Sequence, residues 1–382
     1  MDVKTFHAIT VEPLGPDEAA WNELLARSAN GTLFHDLRFL RYHPVDRFEF
    51  HHLVLKRNGK PVALLPGGFC RTADPPMFCS PLGSSIGGFA VADLRAELAL
   101  SLVEAVQDYA RARGWASVEI TVPPACYSFE TAGLIEFALF CRGFRLVRRW
   151  LCPMLPLIAE SRDGFERTYS SRQASFVRAA RRKGMVGIEA GVERLDDFLQ
   201  VFHDTYERHG VAATHTPEEI RDLLQRLPDR VRIHLATLGE EPVAGLLVFR
   251  LSGSVANTFY ICSSTKHPKE HGAAFVIADL IDRLSQAGYR YLDLGPSASD
   301  QKFNKGVSFF KEGLGAFGQC RDRWRWEARR NRRSGGPLGY YDVTAAHAAG
   351  SAELSEQRLH LAEMGLILRR KSAARAFVSE DQ

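Results

Sequence analysis

Two distant stretches of this chain are built alike. "HHLVLKRNGKPVALLPGGF" (51–69) and "RIHLATLGEEPVAGLLVFR" (232–250) each give a leucine-rich and β-branched strand, a polar turn, and a second strand opening on Pro-Val-Ala. Runs of this kind split by a short polar break read as β-hairpins. Each pair is followed, after a helical stretch, by a glycine stop, an aromatic residue and another strand: "ARGWASVEIT" (112–121) and "QAGYRYLDLG" (286–295). The joining segments keep an apolar face at helical spacing. In the first this face is Leu94, Leu98, Leu102, Val106 and Tyr109, with Asp93 as the expected cap; in the second it is Phe275, Ile277, Leu280, Ile281 and Leu284. Repetition of hairpin, helix and strand in one order predicts an internal duplication, which restricts the chain to two similar α+β units.

Other segments fit that division. Helical stretches are expected upstream in each half, at 17–43 in the first and at 194–210 and 217–227 in the second. "FERTYSSRQASFVRAARRKG" between the halves reads as a helix ending in Arg181, Arg182 and Lys183 before a capping Gly184. The expected domains are therefore 1–160 and 161–330, each a mixed, mostly antiparallel sheet flanked by helices. Residues 331–382 follow as a basic linker, "NRRSGGP", and a helical tail over 352–377. Leu354, Leu361 and Leu368 recur there every seven residues, a weak signal for a partner helix.

Charge is unevenly spread. Of 49 Lys and Arg against 45 Asp and Glu, residues 1–320 hold equal numbers, so the excess of four lies beyond them, where "RDRWRWEARRNRR" is the densest basic run. Such a run suits phosphates of RNA, nucleotide-linked substrates or lipid headgroups, and equally a solvated strand edge. No apolar run approaches the length of about 18 residues that a bilayer span needs. The start "MDVKTFHAIT" lacks the layout of a secretion signal, so a cytoplasmic protein is expected, with peripheral membrane contact left open. The seven cysteines are scattered without a C-x-x-C pair, which argues against a disulfide framework or a structural zinc site. Histidines 203, 209 and 215 fall at six-residue steps and do not share a helix face. No metal site is expected.

Two places suit a ligand. Lys269-Glu-His-Gly272-Ala273-Ala274 puts a basic residue, then small residues, at the opening of a helix, where free backbone N–H groups and the helix dipole favour an anion such as a phosphate. The same small residues also simply start helices. Near the end, "GVSFFKEGLGAFG" (306–318) places Lys311 and Glu312 between Phe309-Phe310 and a run of glycines, with Gly313 expected as the C′ stop of a short helix.

The order of elements, the duplication and the endings "YLDLGPS" and "FFKEGLGAFG" resemble the FemAB-like branch of the GNAT acyltransferase superfamily, which includes peptidoglycan-bridge aminoacyl ligases and CelD/BioF2-type acetyltransferase domains. The similarity is strongest over about 165–326 and diffuse over 1–160. It implies two GNAT-like domains with a substrate groove between them. Lys269, Gly272 and Ala274 would then stand in the pyrophosphate loop, with lysine in place of the usual first residue. Asn304, Val307 and Phe310 resemble the helix after the fifth strand, one residue short, with a phenylalanine where many acetyl-CoA enzymes place a proton-donating tyrosine. Phe310 has no proton to give. "FFKEGLGA" is closer to the Fem-like ending.

The resemblance implies an N-acyltransferase that moves an acyl or aminoacyl group onto a primary amine by direct attack, with no covalent enzyme intermediate and no bound cofactor. Lys311 is expected to steady the carbonyl oxygen, Asp293 or Tyr260 to order water or take a proton, and Arg181, Arg182, Lys183, Asn304, Lys305 and Phe310 to contact substrate. The alternative for Lys311 is a snorkelling side chain paired with neighbouring carboxylates. Two co-substrates compete. Acyl-CoA suits the 269–274 loop, whereas aminoacyl-tRNA suits the basic patches and the missing tyrosine, although no long heptad hairpin like the arm of several Fem ligases is present. The implied acceptor is an amine-bearing sugar or peptide precursor of the envelope or exopolysaccharide. The rival class is a non-catalytic binding protein that uses its basic tail for RNA or a membrane surface.

Overall fold

The computed structural model describes residues 9–44, 46–69, 76–157, 168–210, 212–299 and 302–328. The tail, with its leucine repeat and most of its basic run, lies outside the described residues.

Both hairpins form, as Leu53–Arg57 with Lys60–Leu65 and as Val231–Leu238 with Glu241–Arg250. The polar turns carry the backbone reversal. In the first, Asn58 and Gly59 both take positive φ, the geometry that a tight hairpin turn requires. The joining helices are Ala96–Ala112 and Gly272–Gln286, and their strands are Ser117–Val122 and Tyr291–Asp293. The mixed α+β architecture, with hairpin, helix and strand repeated in one order, is thus the one expected. Asp93 is not the cap: the first helix starts beyond it, with extended Arg95 at the N-cap and no capping side chain, because buried Leu94 holds the approach extended. Within 17–43 the helix Ala19–Ala26 gives way to short turns at Leu33–His35 and Leu37–Leu40.

The sheet runs through both halves. In order its strands are Val186–Ala190, Val231–Leu238, Glu241–Arg250, Val255–Ser263, Tyr291–Asp293, Arg145–Pro156, Phe317–Glu327, Ser117–Val122, Met77–Ser80, Gly68–Phe69 and Glu49–Phe50. A second sheet of four strands holds Ile9–Pro13, the first hairpin and Ala90–Val91. Strand Phe317–Glu327, late in the chain, is inserted between two strands of the first half, antiparallel to both. Arg149 holds it by donating to both oxygens of Asp322 at 2.7 and 2.5 Å, and Arg325 donates to Glu119 at 2.5 Å.

A shared core welds the halves. Trp21, Phe34, Phe39 and Leu64 of the first pack in one cluster with Phe198, Leu223, Phe249 and Tyr260 of the second. Burying large aromatic side chains contributes about 1.5–3 kcal/mol each, so the cleft between the halves has firm walls.

Candidate functional site at the junction of the halves

Parallel pairing between Val255–Ser263 and Tyr291–Asp293 covers three residues, from Val255 opposite Tyr291 to Asn257 opposite Asp293. Beyond it the second chain turns through Gly295-Pro296, with Gly295 at φ 72°, while the first strand continues. The notch so opened is a cavity of about 60 Å³ walled by Asn257, Thr258, Phe259, Asp293, Gly295, Pro296, Arg321 and, from the first half, Phe34, Ile86 and Tyr127. Tyr127 also forms part of the wall of a much larger cleft, about 670 Å³, between the helix Ala19–Ala26 with the loop after it and the turn Ser252–Ser254.

Asp293 is nearly buried. Its Oδ2 accepts from the Tyr127 hydroxyl at 2.6 Å and its Oδ1 from the Gly295 N–H at 2.7 Å. The amide of Asn257 and the hydroxyl of Thr258 donate to its backbone carbonyl at 3.2 and 3.4 Å. One carboxylate oxygen therefore caps the turn while the other faces the first half. The turn-capping role considered for Asp293 is the one present in the bond to Gly295.

Lys311 sits on the short helix Lys305–Glu312, whose start is capped by the Asn304 side chain accepting from the Val307 N–H at 3.1 Å. Its side chain is 4% exposed, which excludes a snorkelling surface lysine. Nζ donates to the carbonyl oxygens of Gly295 at 2.8 Å and Pro296 at 3.2 Å. Burial lowers its pKa to about 8, against the opposing pull of the Asp293 charge. Glu312 does not pair with it and instead accepts from Ser308 at 2.6 Å. Gly313 stops the helix in an unexpected way. Its φ is −62°, in the right-handed region, and the left-handed residue is Gly315 at φ 88°. What Gly313 supplies is closeness: a Cβ there would stand 3.0 Å from the Phe309 carbonyl oxygen and 3.1 Å from Gln173 Cγ.

The other sequence-derived residues fall into separate places. Phe310 packs against the core of the second half, whereas Lys305 lies over the exposed Phe309 ring at 5.5 Å, on the outside of the helix. Exposed Lys269 precedes the helix Gly272–Gln286, and Lys183 reaches the same loop by pairing with Glu270 at 2.5 Å. Arg181 pairs with Asp282 of that helix at 3.3 Å, and Arg182 is exposed. The basic end of helix Ser171–Arg182 thus stands beside the candidate phosphate loop and not in the large cleft. Gly272 and Ala274 are buried, and a Cβ on Gly272 would stand 2.8 Å from Val243 Cγ1; Ala273 is half-buried. Tyr260 is apart from the notch. Its hydroxyl accepts from the His215 N–H at 3.2 Å and bonds His215 Nδ1 at 2.7 Å, and Tyr42 bonds the other ring nitrogen at 2.7 Å.

Tyr127, Asn257 and Arg321 were not singled out from sequence. "PPACYSF" carries no motif, and Arg321 reaches the notch only because its strand is inserted into the first half. Among the described residues, no group of three or more His, Cys, Asp or Glu is set to hold a metal ion, and no helix is long and apolar enough to cross a membrane.

Residues 170–304 match the family model described as the acetyltransferase (GNAT) domain. The overall fold is like that of FemX. The crystal structure of FemX superposes with a TM-score of 0.65 at 13% identity, covering 83% of this chain and 97% of FemX. The C-terminal DUF2156 domain of a protein described as a lysylphosphatidylglycerol synthetase, from Agrobacterium fabrum, gives 0.54 at 12% identity, covering 80% and 90%. A conserved protein of unknown function from Bacteroides thetaiotaomicron gives 0.54 at 8% identity, covering 83% and 99%. No curated protein matches by sequence.

Proposed function

We propose that the protein is a cytoplasmic N-acyltransferase that joins an acyl or aminoacyl group to a primary amine by direct attack, its two halves, 1–160 and 161–330, acting as one catalytic unit. The observation that carries this reading is the buried Lys311 ammonium, held by the carbonyls of Gly295 and Pro296, two residues that wall the notch together with Asp293 and Tyr127. Attack of nitrogen on an ester or thioester carbonyl pushes a pair of electrons onto oxygen. A desolvated cation beside that oxygen stabilises the charge as it forms, and removing one such donor typically costs about 2.7–4 kcal/mol of barrier.

The donor's phosphates lie at the start of helix Gly272–Gln286, beside Lys269 and Lys183. The acceptor enters the large cleft. Asn22, Ser28, Asn30, Thr32, Ser252 and Ser254 line it with hydroxyl and amide groups, a lining that suits an amine-bearing sugar or peptide precursor. Acyl-CoA and aminoacyl-tRNA are both fitting donors. The second is kept because one neighbour's name concerns a lysylated lipid.

A turnover panel of acyl-CoAs and charged tRNAs, each with amine acceptors and with or without ribonuclease, tests the reading. Turnover that ribonuclease abolishes selects the tRNA donor, and turnover that it leaves intact selects CoA. Saturable binding of donors or acceptors without turnover in any combination overturns the enzyme and leaves a binding protein.

A further inference from the structure

Tyr127 comes from the half of the chain that carries neither Lys311 nor Asp293. It ends the 3₁₀ turn Ala125–Tyr127 after strand Ser117–Val122, and its ring packs against the buried group Cys126, Trp150, Cys152 and Met154. It walls both the large cleft and the notch, so it stands between them. A phenol has a single proton. Here that proton is committed to Asp293 at 2.6 Å, which leaves the oxygen only lone pairs for whatever next approaches it. The ligand group such an oxygen holds is a donor, which a primary amine is and a carboxylate is not. Burial and the neighbouring Asp293 both keep the phenol un-ionised, raising its pKa well above the ordinary value.

We propose that Tyr127 receives the acceptor's amine and passes its proton on to Asp293. This rests on the acyl-transfer reading above and adds to it the path of the proton. The acceptor arrives as an ammonium. One of its protons moves to the Tyr127 oxygen while the phenolic proton moves to the Asp293 carboxylate, so the phenol is neutral before and after. The freed nitrogen pair bonds to the acyl carbon, and the carbonyl π pair moves onto oxygen beside Lys311. When that pair returns, the bond to sulfur or ribose oxygen breaks, and the departing atom takes a second proton from the nitrogen. Asp293 then releases the first proton to solvent. The products are the amide, the protonated leaving group and one proton.

The test is Tyr127→Phe in the full chain, which keeps the ring and its packing, assayed beside Lys311→Ala with two acceptors, glucosamine and O-methylhydroxylamine. The second amine is neutral at the assay pH and needs no proton removed before attack. With glucosamine, Tyr127→Phe is expected to lose about a hundredfold in kcat, the low end of what a positioned acid–base group supplies. With O-methylhydroxylamine the loss is expected to be several-fold at most. An equal loss with both amines makes Tyr127 merely structural and overturns the relay, as does no loss with either. If Lys311→Ala is crippled while Tyr127→Phe is not, the relay falls and the acyl-transfer reading stands. If Lys311→Ala is as active as the parent, Lys311 leaves the chemistry and the relay is judged on Tyr127→Phe alone. If the parent acylates neither amine, the acyl-transfer reading falls and the relay with it.

Discussion

The Lys311 ammonium donates to the carbonyl oxygens of Gly295 and Pro296, the two residues at which the chain turns away from Asp293. Two of its three N–H bonds are fixed by backbone, and on the acyl-transfer proposal the third meets a substrate oxygen. Lys311→Ala should therefore lower kcat by about a hundredfold or more, the loss expected for one oxyanion donor. Circular dichroism and gel filtration should be unchanged, because the rest of helix Lys305–Glu312 and its Asn304 cap are untouched. Undiminished turnover in this variant would remove Lys311 from the chemistry.

The same burial makes activity and stability respond to alkali in opposite directions. Lys311 has a pKa of about 8 in the folded chain, below the ordinary 10.5, so the unfolded chain binds its proton more tightly. Between these values the unfolded state carries more proton, and the stability of the parent should rise with pH. Below the lower value the cost of a buried charge is fully present. Denaturant titrations of parent and Lys311→Met at pH 7 and pH 10 should show the parent gaining relative to the variant. Over the same rise kcat should fall as the ammonium loses its charge. A parent that gains nothing relative to the variant would mean that the ammonium is not desolvated.

Local features were readable from the sequence because they are local. The hairpin turns and the helix Gly272–Gln286 depend on residues within a few positions of one another. The insertion of Phe317–Glu327 between Ser117–Val122 and Arg145–Pro156 depends on partners far away in the chain, and alternation of Arg321, Arg323 and Arg325 with Asp322, Trp324 and Trp326 reads equally as a solvated edge. That pairing brings Arg321 to the notch. Tyr127 was hidden for the same reason. Its meaning lies in a carboxylate contributed by the other half.

Tyr260 illustrates a polar residue whose surroundings favour packing over chemistry. Its hydroxyl closes a chain from Tyr42 through His215, all three buried, and burial lowers the His215 pKa to about 3, so the ring is neutral at working pH. Tyr260→Phe leaves a buried ring nitrogen and a buried N–H without their partner, a loss of about 1–3 kcal/mol. The expected result is a lowered denaturation midpoint with kcat within about twofold of the parent. A large fall in kcat at unchanged stability would return Tyr260 to the reacting atoms.

Two substitutions at the proposed donor loop separate packing from binding. A Cβ on Gly272 would stand 2.8 Å from Val243 Cγ1 and 2.9 Å from the Ala244 Cβ, both on the buried strand Glu241–Arg250. Neither contact is the tip of a flexible side chain, so Gly272→Ala must lift the helix from the sheet. Overpacking of this kind costs about 1–3 kcal/mol. Lys269 is exposed and packs against no core, so Lys269→Ala should leave the denaturation midpoint where it is. If the helix start holds the donor's phosphates, Lys269→Ala raises the donor KM several-fold, more at low salt than at high, with kcat preserved. Gly272→Ala raises the donor KM and lowers stability together, because the moved helix carries its N–H groups with it. A donor KM that ignores both substitutions would place the phosphates elsewhere and leave Gly272 as a packing glycine alone.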